Sequence, residues 1–215
     1  RVPQGMPRLL RLWHARQAVG PGALEGEDLG GPVLAVGHQR MAAEMTRRAE
    51  YICARALAGR AVPAGSIEWS GTFHAVGARL LRMHAQSIGL DPEFSILDRG
   101  DAADLMDLVR DELRLSQAKQ RFPKKATCLA IYSYAVNAQL PLREALQRAF
   151  PWCTDWEEAL KTLFGAYVAS KQSQSVLDYD DLLLYWARMM EVEEIVRRVS
   201  ARFDHVLVDE YQDTN

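Results

Sequence analysis

A short apolar run is followed by helical periodicity twice near the start of the chain. Residues 32–37 have the sequence PVLAVG, an apolar run bounded by proline and glycine, which is typical of a strand buried in a parallel sheet. Residues 67–71 are interpreted as a second short strand. Helical spacing follows at residues 40–59 and again at residues 74–87, where Thr72 can cap the helix. Strand then helix, twice, predicts an α/β fold.

The middle of the chain shows helical periodicity alone. No strand pattern is present between about Gly89 and Ser175, and prolines separate the helical segments where helices are expected to end. We therefore expect an all-helical block inserted into the α/β part. Its predicted helices cover residues 98–113, 128–138, 142–150 and 156–171.

The chain then returns to the mixed pattern. A helix is predicted at residues 177–190, and Val206 to Val208 form an apolar run typical of a buried strand. Asp209 and Glu210 come directly after it. The carboxyl ends of parallel strands are where open sheets bind ligands. Adjacent carboxylates there can divide the work of a nucleotidase, one holding Mg²⁺ and the next orienting or deprotonating the attacking water.

Composition narrows the class of protein. Apolar residues make up 48% and charged residues 25% of the 215 residues, as expected of one large or two modest globular domains. The net charge of -2 excludes a uniformly basic protein, so any nucleic-acid contact must rest on a local basic surface. We expect a soluble, cytoplasmic protein, since no apolar stretch approaches the roughly 20 residues that span a bilayer.

The cysteines favour neither a metal site nor a disulfide framework. Cys53, Cys128 and Cys153 are isolated, with no CxxC pair among them, and are expected to be buried free thiols.

Four segments resemble one family of motor proteins. VDEYQDTN, at residues 208–215, resembles the Walker B motif of UvrD/Rep/PcrA-type superfamily 1 DNA helicases. SGTFHA at residues 70–75, LDYDDLLL at 177–184 and the sequence of residues 87–106 resemble further segments of the same family. An apolar run followed by two acids is common by chance, so Asp209 and Glu210 alone would be weak evidence; the longer matching segments make the resemblance specific. The resemblance spans roughly residues 33–215.

The resemblance implies a fold and an activity. The fold is an α/β, RecA-like P-loop NTPase lobe, a parallel sheet flanked by helices, interrupted by an all-helical insert subdomain. The implied activity is that of an ATP-dependent 3′–5′ DNA helicase or translocase with ATP and Mg²⁺ as cofactors, acting in DNA repair or recombination. Its partners are single-stranded DNA and duplex junctions. The expected divisions are a first motor-lobe part at 1–85, the insert at 86–175 and the return to the lobe at 176–215.

The resemblance also implies roles for single residues. Asp209 matches the magnesium ligand, Glu210 the catalytic glutamate, and Gln212 the residue that links the state of the γ-phosphate to the DNA-binding motifs. Thr72, Phe73 and His74 match residues that contact single-stranded DNA; a hydroxyl can bond a phosphate, a ring can stack on a base and an imidazole can bond the backbone. Taken alone, Phe73 and His74 are more typical of core or cap residues.

Two further segments have a structural as well as a functional interpretation. The acids of LDYDDLLL are assigned to helix capping rather than catalysis, because acids stabilise a first turn. Basic residues dominate positions 114–148, where Glu144 is the single acid. They are either a solvated face or a patch that contacts duplex phosphates, with Lys124 and Lys125 as the candidates.

The match is incomplete in two places. No GxxxxGK[ST] phosphate-binding loop occurs in the sequence, and Gly37 and His38 stand where relatives carry a Thr-Phe pair that approaches DNA. We interpret the chain as an inactive fragment whose loop lies upstream of Arg1; true loss of the loop is the competing interpretation. The alternatives are a degenerate, non-enzymatic helicase remnant that binds DNA or protein, and a helical interaction protein in which VDEYQDTN is coincidence.

Overall fold

A computed structural model describes residues 33–36, 69–115, 122–203 and 205–208 of the chain. For residues 33–36, 205 and 207 it describes the backbone alone. The helix predicted at residues 40–59 lies outside the described residues. The chain divides into two compact units, one with residues up to His84 and from Tyr185 onward, the other formed by Ala85–Leu184.

The described residues are mostly helical, with a small parallel sheet. In chain order the strands are β1 (Val33–Val36), β2 (Trp69–Gly71), β3 (Ser95–Ile96), β4 (Val176–Leu177) and β5 (His205–Val208). The α-helices are α1 (Phe73–His84), α2 (Arg99–Glu112), α3 (Lys125–Ala138), α4 (Leu142–Ala149), α5 (Glu157–Ser173), α6 (Tyr179–Met189) and α7 (Glu193–Ser200), with short 3₁₀ turns at Ala85–Ile88 and Pro151–Trp156.

The sheet of the first unit has the order β2-β1-β5, and both pairings are parallel. All three predicted strands are therefore confirmed within the described residues. The register pairs Val36 with Gly71 on one side and with Val208 on the other. Because these residues are the last of their strands, the three strands end level at the carboxyl edge of the sheet.

Helices α1 and α7 bury apolar faces in the first unit. Helix α1, predicted at residues 74–87, runs from Phe73 to His84 and buries Val76, Leu80 and Leu81. Helix α7 was not predicted; it is short, with two glutamates in its first turn and two arginines in its last, a distribution that matches the helix dipole. Its apolar residues Ile195, Val196 and Val199 are buried.

The second unit is a helical bundle whose core joins α2, α3, α4 and α5. The four predicted helices are confirmed with end shifts of a few residues, the largest at α3, which begins at Lys125 rather than Cys128. Asp98 caps α2 by accepting a hydrogen bond from the Asp101 N–H at 2.8 Å. The largest fully buried side chains of this core are Met106, Ile131, Leu146, Leu160, Leu163 and Tyr167.

The expectation that residues 89–175 contain no strand was wrong. β3 pairs in parallel with β4 just beyond that range. The Ser95 N–H donates to the Ser175 carbonyl at 3.1 Å, and the Leu97 N–H donates to the Leu177 carbonyl at 2.8 Å. Strands of two residues are too short to show any periodicity, so this pairing is set by the tertiary fold.

Two of the three cysteines lie in the described residues, and both are free and buried as predicted. Burial raises the pKa of the Cys128 thiol to about 12, so that side chain is an inert part of the core. None of the helices that the structure describes is long and apolar enough to cross a membrane.

Candidate functional site

The carboxyl edge of the three-stranded sheet is the candidate site. Thr72 follows the last residue of β2, and Asp209 follows the last residue of β5. Since Gly71 and Val208 are each in register with Val36, the segments that carry the predicted functional residues leave the sheet at the same level. The carboxyl edge of an open parallel sheet is the usual place for a ligand.

Thr72 caps helix α1. Its Oγ1 accepts a hydrogen bond from the Ala75 N–H at 3.1 Å, and its carbonyl accepts one from the Val76 N–H at 3.0 Å. This confirms the predicted cap. A hydroxyl has one donor and two acceptor positions, so a Thr72 side chain that accepts from the helix still has its proton to donate. Capping is thus compatible with a hydrogen bond to a phosphate.

Phe73 is half-buried at the first turn of α1. Its ring centroid lies 6.4 Å from that of Trp186, with an angle of 43° between the planes. Trp186, on the second half of α6, is buried. His74 is also half-buried. In the SGTFHA segment, Thr72 therefore caps the helix, while Phe73 and His74 are each partly packed and partly exposed.

The predicted nucleotide-binding residues, Asp209, Glu210 and Gln212, lie outside the described residues. The structure describes β5 up to Val208, the residue before them. Among the residues that it does describe, no group of three histidine, cysteine, aspartate or glutamate side chains could hold a metal ion.

Three described residues of the predicted basic stretch pair with acids, two of them with acids from other helices. Lys125 Nζ lies 2.5 Å from Asp104 Oδ1, and this hydrogen bond is the main reason why the Lys125 pKa is raised. Arg143 donates to Glu157 at 2.8 Å, and Arg148 is paired with Glu144. A count of acids along residues 114–148 misses Asp104 and Glu157, which come from α2 and α5.

Lys124 differs from its neighbour. It is exposed, it precedes α3, and no described acid lies within ion-pairing distance of it. Of the two lysines proposed from the sequence, Lys124 therefore has the ammonium group that an incoming phosphate can reach without breaking an ion pair.

A comparison with protein-family models shows to which family this chain belongs. The model of the UvrD/REP helicase N-terminal domain matches residues 31–215. The chain belongs to this family. The resemblance drawn from the four sequence segments is thereby confirmed, and the alternative in which VDEYQDTN is coincidence in a helical interaction protein is excluded.

Similar curated proteins carry helicase names. An ATP-dependent DNA helicase PcrA of Leuconostoc citreum is 35% identical over 149 residues, which cover 68% of this chain and 19% of that protein. UvrD1 of Mycobacterium leprae is 31% identical over 153 residues, which cover 70% of this chain and 19% of that protein. PcrA of Bacillus subtilis is 28% identical over 177 residues, which cover 82% of this chain and 22% of that protein. The chain spans about a fifth of the length of these relatives.

The family segment LDYDDLLL forms a capping box in the structure. Asp178 Oδ1 accepts from the Asp181 N–H at 2.8 Å, and Asp181 Oδ2 accepts from the Asp178 N–H at 3.1 Å. The structural interpretation of these acids is confirmed. Asp180 is turned elsewhere, since it accepts a hydrogen bond from the Asn137 side chain at 2.7 Å.

The same two carboxylates hold a buried lysine that sequence reasoning missed. Lys171 Nζ lies 2.6 Å from Asp178 and 2.5 Å from Asp181, and it is only 2% exposed. The Tyr167 hydroxyl donates to Asp178 at 2.9 Å. The signal was present, because Lys171 follows Leu160, Leu163 and Tyr167 at helical spacing and so falls on the apolar face of α5.

Electrostatics keep this lysine charged. Burial acts to lower the pKa of Lys171, but the carboxylates of Asp181 and Asp178, together with the nearby Tyr132, outweigh it and raise the pKa. Burial raises the pKa of Asp181, against the lowering effect of Lys171. Burial also raises the pKa of Tyr132 to about 12, so its hydroxyl keeps its proton. The cluster therefore pairs one buried cation with two buried carboxylates and ties α5 to the start of α6.

Proposed function

We propose that this chain is the first motor-lobe part of an ATP-dependent 3′–5′ DNA helicase or translocase that acts in DNA repair or recombination. Family membership and the names of the relatives support it. One structural observation carries the proposal: β2 and β5 end level on either side of β1. The DNA-contact motif follows one of these strands and the nucleotide motif follows the other.

The proposed fold is a RecA-like lobe interrupted by a helical insert. The parallel sheet is formed by strands from both ends of the chain, while Ala85–Leu184 is a compact helical unit between them. We propose residues 1–85 and 176–215 as parts of the lobe and 86–175 as the insert.

The proposed nucleotide chemistry rests on Asp209, Glu210 and Gln212. Two carboxylates and an amide directly behind a parallel strand are a donor set that suits Mg²⁺ and an ordered water. When bound, Mg²⁺–ATP supplies the γ-phosphoryl group that water attacks. In this proposal Asp209 holds the metal, Glu210 orients and deprotonates the water, and Gln212 reports the phosphate state to the DNA-contacting residues. The sequence has no GxxxxGK[ST] loop, so we assign no residue of this chain to the phosphates.

The proposed contact with single-stranded DNA lies beside the nucleotide. Thr72 donates its hydroxyl proton to a phosphate, Phe73 stacks on a base, and His74 bonds the backbone. Adjacent strands lie about 4.8 Å apart, so Gly71 and Val208 are separated by roughly 10 Å. That separation is short enough for a change at the nucleotide to reach a residue that touches DNA.

The proposed contact with a duplex junction lies on the helical unit. Lys124 offers a phosphate an ammonium that is paired with no described acid, whereas Lys125 must first leave Asp104. We therefore propose Lys124 as the stronger contact and Lys125 as a weaker one.

Glu210→Gln tests the proposal in the full-length product of the gene. We expect the wild-type protein to hydrolyse ATP faster with single-stranded DNA, and the variant to bind ATP yet lose turnover by orders of magnitude, because the base is removed while its shape is kept. Wild-type turnover in the variant would exclude Glu210 from this role. DNA binding without any hydrolysis by the wild type would instead support a non-enzymatic remnant.

A further inference from the structure

Trp186 packs across the face of α1 that carries Phe73. Its indole ring is tilted by 43° against the Phe73 ring, with 6.4 Å between the centroids. Phe73 and Gly77 are four residues apart, so they lie one above the other on the same face of the helix. The indole therefore packs on this face of α1 next to the Phe73 ring.

Gly77 makes room for this indole. A Cβ at position 77 would lie 3.0 Å from Cε3 of Trp186 and 3.6 Å from both Cδ2 and Cζ3. Glycine inside a helix is unfavourable relative to alanine, and this one is buried in the middle of α1. The close approach of the Trp186 ring is the structural reason for a glycine here.

The indole N–H of Trp186 does not explain why tryptophan occupies the position. Nε1 is buried and has no hydrogen-bond partner among the described residues. An unpaired buried donor is destabilising, and phenylalanine would avoid it. What tryptophan adds is the area and shape of its ring against Phe73 and Gly77.

We propose that Trp186 is a positioning residue that holds the Phe73 ring for stacking on a base of single-stranded DNA. This inference rests on the proposed function of Phe73. A ring that is already fixed loses less conformational freedom when a base stacks on it, so the support beneath it strengthens binding without touching the DNA.

Binding to two probes separates positioning from general stability. One probe is a single-stranded oligothymidylate, and the other is an abasic oligonucleotide of the same length and charge. The ratio of their affinities isolates stacking, because both present the same phosphates. We expect Phe73→Leu to lower that ratio roughly tenfold, the scale of one base–aromatic stack. Gly77→Ala and Trp186→Leu should lower it to a similar degree, and Trp186→Phe should retain most of it.

Gly165→Ala is the matched control, because a Cβ at this helical glycine meets nothing within 4 Å. It should leave the ratio unchanged. Combining Trp186→Leu with Phe73→Leu should add little to either single change, since both act through one contact. A merely destabilised variant would bind both probes more weakly and keep the ratio.

The outcomes distinguish this inference from the function on which it depends. If Phe73→Leu lowers the ratio while folded Gly77→Ala and Trp186→Leu proteins keep it, Trp186 does not position the ring. If the wild-type protein shows no preference for the thymidylate, Phe73 does not stack on a base, and both the stacking role and this inference are wrong. Circular dichroism establishes that each variant is folded.

Discussion

Lys171 Nζ lies 2.6 Å from Asp178 Oδ2 in the interior of the helical unit, where both side chains are almost fully buried. Asp178 is also the residue that caps α6, so a single carboxylate ties the lysine of α5 to the start of the next helix. The ion pair and the capping box therefore form one cluster. Its members are separated by a few residues in sequence, and their geometry depends on how the chain turns between α5 and α6.

Replacing this lysine is expected to be costly. Lys171→Met would leave the carboxylates of Asp178 and Asp181 buried without a cation, and breaking a buried pair in this way typically costs about 3–5 kcal/mol. Urea unfolding should show a lower free energy of unfolding. Lys161→Met is the control, because Lys161 is exposed on the same helix, and it should leave the midpoint nearly unchanged. A small loss in the Lys171 variant would show that the carboxylates are solvated or protonated.

Alkaline pH should weaken the same cluster. The pKa values of Lys171 and Tyr132 are raised in the folded protein, whereas an unfolded chain releases such protons near about pH 10. Stability from a raised pKa is fully present below the unfolded value and is lost as the pH rises through the folded value. We expect the melting temperature to fall above about pH 10, and to fall less steeply for Lys171→Met. If the melting temperatures of the wild-type protein and the Lys171→Met variant fall in parallel with pH, Lys171 does not contribute to this pH dependence.

The sequence was sufficient to predict strands and helices wherever the local pattern of apolar residues agrees with the fold. The apolar runs that became β1 and β5 pair in a parallel sheet, and strands of such sheets have a recognisable composition. The helices of the bundle were predicted because their apolar faces persist over several turns. Thr72 was predicted as a cap because hydroxyl side chains are strongly preferred there.

Features that depend on distant partners were missed. The pairing of β3 with β4 involves two residues on each side, and Lys171 is buried only because two aspartates meet it. In the sequence, Glu144 is the single acid among the basic residues at positions 114–148, whereas Asp104 and Glu157 approach them from helices outside that range. The support of Phe73 by Trp186 joins two helices far apart in the chain. Apart from the helical spacing that places Lys171 on the apolar face of α5, these contacts leave no periodic signal.

Thr72 offers a test that separates capping from DNA contact. Thr72→Ala should lower the free energy of unfolding by about 1 kcal/mol through loss of the cap. It should also weaken binding to single-stranded DNA by roughly 1 kcal/mol, about fivefold, at every salt concentration, because the lost hydrogen bond is to a neutral hydroxyl that releases no counterion. Thr72→Ser keeps the hydroxyl and should preserve both quantities. A lower stability with an unchanged affinity for single-stranded DNA would restrict Thr72 to capping.

Lys124 and Lys125 are neighbours in sequence but differ in their surroundings, which permits a matched comparison. The ammonium of Lys125 is paired with Asp104 at 2.5 Å, while Lys124 is exposed and has no described acid within reach. Lys124→Ala should therefore lower the slope of log affinity against log salt for a duplex junction by somewhat under one unit. Binding releases fewer counterions when one fewer phosphate is neutralised. Lys125→Ala should change it less.

Single-stranded DNA provides the control substrate for the two lysine variants. In the proposed arrangement that strand lies near Phe73 and His74, so its binding should respond little to either change. Titrations of both substrates at three salt concentrations measure the slopes. If Lys124→Ala leaves the junction slope unchanged, the lysine is part of a solvated face. If both variants alter both substrates alike and weakly, the ion pair at Lys125 makes no difference to DNA binding, and the helical unit contributes only a diffuse positive potential that salt screens.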